Sequence, residues 1–330
     1  MKGKQGMVCM GLLLVLSSCH TGKQITASGL QRKDFQTEVN GQHTDLFTLS
    51  NKQGMEVCIT NYGARVVSIL VPDRNGKRED VVCGFSTITE YMEQRQNFGS
   101  TVGRYIGRIL NARFTLDGVE YKLVPNNGKS GHISHGGNPG FADRIWKVEQ
   151  ADTHRVRLSY LSPDGENGFP GNLKVTLVYS LGEDDNALDL TYEATTDAPT
   201  VLNLSHHSFF NISGNFTKSV EDQQLWVDAD RFTPYDDKKC VTGEYLQVAG
   251  TPLDFRMPHA IGECIDADHP QLKVVNGYDH TWELNTKGDD TRPAAWVYDP
   301  ASGRKMEIFT TEPGMQIYTG NGLKGKMTGK

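Results

Sequence analysis

Five short stretches of this chain gather side chains that could move protons or hold a polar ligand. They are Gly103-Arg104-Tyr105-Ile106-Gly107-Arg108, Ser134-His135-Gly136-Gly137, Ser162-Pro163-Asp164-Gly165-Glu166-Asn167-Gly168-Phe169-Pro170-Gly171, Asn203-Leu204-Ser205-His206-His207-Ser208-Phe209-Phe210 and Asn276-Gly277-Tyr278-Asp279-His280. An imidazole gives or takes a proton near neutrality, a carboxylate accepts one, and a guanidinium offers donors in a fixed fork. Together they are polar groups that a buried site could use for acid and base work. Each also has a plainer reading. An Arg among glycines is commonly a solvated turn, a His before Gly-Gly a loop residue, the 162–171 stretch two tight turns, and Asp279 a turn cap.

The pair His206-His207 invites a metal ion. On a strand, however, adjacent side chains point to opposite faces, so the two rings could not easily hold one ion. Asn203, Ser205 and His207 fall on one face, which is polar for a strand beginning Val-Leu-Asn-Leu. His207 is thus the candidate for chemistry, with a hydrogen-bonded structural histidine as the competing reading. Gly128-Lys129-Ser130 lacks the earlier glycine of a phosphate loop. Gly320-Asn321-Gly322-Leu323-Lys324-Gly325 has dinucleotide-loop spacing with no helix after it, and no Gly-x-Ser-x-Gly elbow occurs. No metal and no cofactor are expected.

The elements that must position these residues read as β strands. Phe114 and Leu116, then Val119, Tyr121 and Leu123, alternate about Asp117-Gly118, a dipeptide that tolerates the positive φ of a tight hairpin. Leu173, Val175, Leu177 and Tyr179, followed by Leu188, Leu190 and Tyr192, predict a second hairpin. Further strands are predicted near 55–60, 64–71, 156–160, 225–229 and 306–309, and one helix over 88–96. Strands without intervening helical patterns predict an all-β, large antiparallel sandwich over 36–330 as one domain. The 35 glycines, about one and a half times the average share, agree with many turns.

The formal charge is -6, and it becomes more negative without Lys2 and Lys4 near the start. Nucleic acid is therefore not an expected partner, since no run of Lys and Arg interleaved with aromatics occurs. Residues 1–18 read as an export signal, with a basic start and an apolar stretch too short to span a bilayer. Leu16-Ser17-Ser18-Cys19 resembles the lipobox of bacterial lipoproteins, in which this Cys would carry lipid. An ordinary secretory signal is the alternative. The polar, aperiodic residues 20–35 would then form a tether between membrane and domain, with the lipid as the sole membrane contact. Cys58, Cys83, Cys240 and Cys264 have spacings that fit no metal motif, and their pairing is open.

Over 47–325 the five stretches, in order, resemble the aldose 1-epimerase (galactose mutarotase) family. The 162–171 stretch is similar to that family's Ser-Pro-Asp-Gly-Glu-x-Gly-Tyr-Pro-Gly, and 203–211 to its Asn-Leu-Thr-Asn-His-Ser-Tyr-Phe-Asn. The resemblance implies a galactose mutarotase-like supersandwich, with His207 as general acid and His135 as second active-site histidine. It implies further that Arg108, Asp279 and Gln316 bind the hydroxyls of a monosaccharide, a hexose such as galactose or glucose.

Two positions depart from the family pattern. Gly107 stands where the family has Asn before its Arg, and the chain reaches Lys330 without the family's Leu-Glu-Thr-Gln strand and its general-base glutamate. Glu312 does not align with that glutamate. The last strands of the sandwich are accordingly expected to be missing. The implied reaction takes a proton from the C1 hydroxyl and gives one to the ring oxygen, opening the ring. A non-catalytic sugar binder or inactive truncated homologue is the alternative function. A glycoside hydrolase would instead need two carboxylates facing one bond.

Overall fold

The computed structural model describes residues 25–323 and 328–330, so the 1–18 stretch and Cys19 lie outside the described residues. Two four-stranded antiparallel sheets enclose the larger core. The first runs Leu46–Ser50, Glu56–Thr60, Arg65–Pro72, Arg78–Asp80, and the second Lys147–Ala151, Arg155–Ser162, Leu173–Leu181, Leu188–Thr196. Leu49, Val57, Ile59, Val66 and Ile69 meet Trp146, Val156, Leu158, Val175, Leu177 and Tyr179 between them. Burial at alternate positions of Leu173–Leu181 matches its period-two pattern. Truncating one of these leucines to Ala would cost about 2–5 kcal/mol.

Two further four-stranded sheets form the other half of the molecule. One orders His259–Ala260, Gln224–Val227, Ala295–Tyr298, Lys305–Ile308, and the other Leu246–Gln247, Arg231–Thr233, Asp279–Glu283, Gly314–Tyr318. Leu225, Val227, Phe232, Phe255, Tyr278 and Trp282 fill a second core. The side chain of Val297 packs against both cores and joins the halves. The fold is all-β, as the alternation predicts. The Asp117-Gly118 hairpin forms with φ of 50° and 79°, joining Arg113–Leu116 to Val119–Lys122.

Three expectations need correction. Residues 25–35 are no tether: Leu30 and Phe35 are buried in one cluster with Cys58, Val67 and Tyr91, on the outer side of the first sheet. There the buried Glu56 carboxylate accepts the N–H groups of Ala27 at 2.7 Å and Ser28 at 3.3 Å. One bridge, Ile25 to Gln31, and one 3-10 turn, Arg32–Phe35, make these contacts with no period for a sequence pattern to show. That cover also buries all five residues of Glu56–Thr60, so this strand does not alternate.

A helix over Pro270–Val275 was not foreseen beside Ile88–Gln94. Six residues are too few for periodicity, although Pro270 at its start and Asn276 at its left-handed end are readable signals. Arg104 is not in a solvated turn; it is 1% exposed. Cys58, Cys83, Cys240 and Cys264 are free thiols, and burial pushes Cys58 up to about 12. Among the described residues no helix is long and apolar enough to cross a membrane.

Candidate active site

His207 follows Ser205–His206, which pairs with Thr101–Val102, and His135 follows Ile133–Ser134, which pairs with Arg108–Ile109. Backbone bonds then hold each histidine in place. His207 N–H donates to Ser100 at 2.8 Å and Gly99 N–H donates to the His207 carbonyl at 3.0 Å. His135 N–H donates to Gly107 at 2.9 Å, and Gly107 N–H donates to His135 Nδ1 at 3.3 Å. With Nδ1 accepting, a neutral His135 carries its hydrogen on Nε2, as a donor to a ligand. The His135 and His207 rings meet edge to face, centroids 5.4 Å apart.

The pleat separates the neighbouring histidine. His206 turns towards Tyr179, with Nδ1 3.5 Å from its hydroxyl and Nε2 2.6 Å from Ser208 Oγ. The Gly136 that follows His135 is required by crowding. At φ of 80°, a Cβ there would stand 1.9 Å from the Gly103 carbonyl oxygen.

Two buried arginines rivet this flank. Arg104 donates through Nε to Ser162 Oγ at 2.9 Å, and through its Nη atoms to the carbonyls of Ser162, Pro163, Pro170 and Gly171 at 2.7–3.0 Å. The 162–171 stretch is therefore the socket of Arg104. Arg65 donates to the carbonyls of Gln96 and Phe98, both at 2.8 Å, and of Ala142 at 3.0 Å, with its guanidinium 4.6 Å over Tyr91. It thereby holds the loop that ends in Gly99. The signal for Arg65 was a lone cation inside the apolar run Ala64-Arg65-Val66-Val67.

The opposite flank is regular. Asp279–Glu283 pairs with Gly314–Tyr318 so that Thr281 faces Gln316 and Asp279 faces Tyr318. His280 and Trp282 are buried, while Asp279 and Thr281 turn to the other face. Gln316 Nε2 donates to Asp279 Oδ1 at 2.7 Å and to the Tyr235 hydroxyl at 3.4 Å, and the Thr281 hydroxyl donates to Gln316 Oε1. The amide of Gln316 thus has one defined orientation. Aromatic contacts join the flanks: His207 stacks on Phe209 at 5.1 Å, and Phe209 meets Tyr318 edge-on at 5.6 Å.

Arg108 lies where the flanks face each other. Its Nη1 donates to the Lys239 carbonyl at 2.8 Å, and its buried Nε has no partner among the described residues. That leaves a charged donor for a ligand. Burial lowers His207 from its ordinary value, with Arg65 adding to the effect; burial, then His207 and Arg108, push His135 down to about 3. Both rings are neutral at pH 7. Burial raises Asp279, opposed by its bond from Gln316 and by Arg108. The arrangement offers neutral imidazoles, a free guanidinium donor and an oriented carboxylate-amide pair, which together suit a polyhydroxyl ligand. Among the described residues no group of three or more His, Cys, Asp or Glu could hold a metal ion.

The chain belongs to the aldose 1-epimerase family, whose model matches residues 45–330. It is 40% identical over 285 residues to the galactose mutarotase of Bos taurus, covering 86% of this chain and 80% of that protein. It is 36% identical over 286 residues to the aldose 1-epimerase of Escherichia coli, covering 87% and 81%. The crystal structure of galactose 1-epimerase from Lactobacillus acidophilus matches with a TM-score of 0.76 at 30% identity, over 87% of this chain and 81% of that one.

Proposed function

We propose that this chain is an aldose 1-epimerase that interconverts the α and β anomers of a hexose such as galactose or glucose. The observation that carries the reading is the edge-to-face meeting of His135 and His207 opposite Arg108, Asp279 and Gln316. In this reading His207, after taking a proton from solvent, delivers it to the ring oxygen as the C1–O5 bond breaks, while water takes the C1 hydroxyl proton and the C1–O bond becomes the aldehyde carbonyl. His135 Nε2–H steadies an oxygen beside it, and Arg108, Asp279 and Gln316 grip hydroxyls further from C1. Rotation about C1–C2 and reclosure give the other anomer, with no cofactor.

A second reading, hexose binding without turnover, is favoured by one observation. The carboxylate of the site, Asp279, sits on the flank opposite His207 and is bound by Gln316. Anomer exchange of α-galactose followed by NMR or polarimetry separates the two. Acceleration over water supports the epimerase, and binding without acceleration supports the second reading. For the epimerase, His207→Asn should lower the rate about 100-fold or more. Full activity in that variant would remove His207 from its role.

The chain is further proposed to be exported and lipid-anchored through Cys19, on the lipobox-like Leu16-Ser17-Ser18-Cys19. Cys19→Ser should then release it from the membrane fraction. Unchanged membrane association would count against the anchor.

A further inference from the structure

The loop that accepts Arg108 also carries an aromatic residue that takes part in the Asp279–Gln316 pair. Tyr235 lies just before a tight turn in which Asp236 Oδ1 accepts the N–H groups of Lys238 and Cys240, both at 2.9 Å. Tyr235 bridges to Val241 across that turn, and the Lys239 carbonyl at its tip receives Arg108 Nη1 at 2.8 Å. The loop is thus a wall of the site pinned by one of its binding residues.

Three independent contacts fix Tyr235 within this wall. Gln271, on the helix Pro270–Val275, clamps its backbone: Tyr235 N–H donates to Gln271 Oε1 at 2.8 Å, and Gln271 Nε2 donates to the Tyr235 carbonyl at 3.0 Å. The ring rests 5.4 Å from the fully buried ring of His280. The hydroxyl accepts from Gln316 Nε2 at 3.4 Å, on the amide that also binds Asp279. Because it accepts from Gln316, its own hydrogen is free to donate, and among the described residues it has no acceptor. A half-buried phenol with its rotamer locked and an unspent donor beside a carboxylate and a guanidinium is a preorganised recognition group.

We propose that Tyr235 is a specificity-determining residue, its hydroxyl donating to a pyranose hydroxyl remote from the anomeric carbon. The assignment rests on the reading of the site as one for a hexose. Arg108 binds the Tyr235 loop through its Nη1, while its strand, Arg108–Ile109, pairs with the strand that precedes His135, so Arg108 links Tyr235 to the histidine flank. With C1 and the ring oxygen at the imidazoles, Tyr235, Asp279 and Gln316 meet the far rim of the ring. A site that hydrogen-bonds a particular hydroxyl discriminates against an epimer that misplaces it. Gln271 is then a positioning residue that acts through Tyr235.

The test uses 1,5-anhydroglucitol and 1,5-anhydrogalactitol, C4 epimers without an anomeric hydroxyl, which report binding apart from chemistry. Dissociation constants are measured by calorimetry or ligand-observed NMR for the unmodified protein and for Tyr235→Phe, with melting temperature as the folding control. Tyr235→Phe should weaken the preferred epimer about fivefold and the other much less, shrinking their ratio by about threefold or more at unchanged melting temperature. Gln271→Met should shrink the ratio in the same direction, since the clamp no longer holds the phenol. An unchanged ratio in Tyr235→Phe overturns the proposal even if the protein is an active mutarotase. A shrunken ratio in a protein that leaves anomer exchange unaccelerated supports Tyr235 while the epimerase reading fails.

Discussion

His135 and His207 follow pairs of two-residue strands, whereas Asp279 and Gln316 sit within five-residue strands joined by a continuous ladder. On the aspartate flank, register alone puts Asp279, Thr281 and Gln316 on one face. On the histidine flank there is too little ladder to set a direction, and buried arginines do it by gripping carbonyls of neighbouring loops. The first device is local and tolerant, since an outward side chain can change without moving its strand. The second couples side chains distant in sequence, so that one residue supports many.

Substituting Arg104 tests this contrast most severely. Arg104→Met leaves the carbonyls of Ser162, Pro163, Pro170 and Gly171 without their donor. Unfolding in denaturant should show a loss of about 3 kcal/mol or more, together with loss of sugar binding. A change below about 1 kcal/mol would mean that the socket does not hold the flank.

Acid provides an intermediate test. Burial lowers His207, pushes His135 and His206 down to about 3, and pushes His280 down to about 4. When unfolded these rings bind protons near pH 6.5, so below that pH the unfolded state takes up more protons than the folded one. Stability is therefore complete above about pH 6.5 and falls as pH drops towards 4. Three of the four histidines lie on the arginine-riveted flank, so its amide protons should lose exchange protection before those of Asp279–Glu283. Simultaneous loss on both flanks would erase the distinction. The smallest effect belongs to Gln316, an exposed residue: Gln316→Ala should weaken hexose binding about threefold to tenfold and leave the melting temperature within a degree or two.

The same contrast explains what could be read without coordinates. Period-two strands such as Leu173–Leu181 declare themselves, because one face is core and the other is not. Glu56–Thr60 does not alternate, because residues 25–35 cover the face that would otherwise be polar. His207 could be singled out by its polar strand face and the pleat. The placing of His135, Arg108, Asp279 and Gln316 around it came from the family resemblance, since no spacing rule links positions so far apart. Tyr235 and Arg65 carried no motif; their roles depend on a turn and a loop whose geometry is tertiary. The Ser-Pro-Asp stretch was visible as something special and was read as turns, when its carbonyls form a cation receptor.

Arg104 and the last carbonyl it grips are 67 positions apart, and His135 lies between them in the chain. During synthesis the arginine leaves the ribosome while its receptor is still untranslated, and His135 follows it with nothing to brace against. His135 is therefore braced only once residue 171 has emerged and the turn has closed around the waiting guanidinium, and the imidazole pair is complete only when His207 has followed.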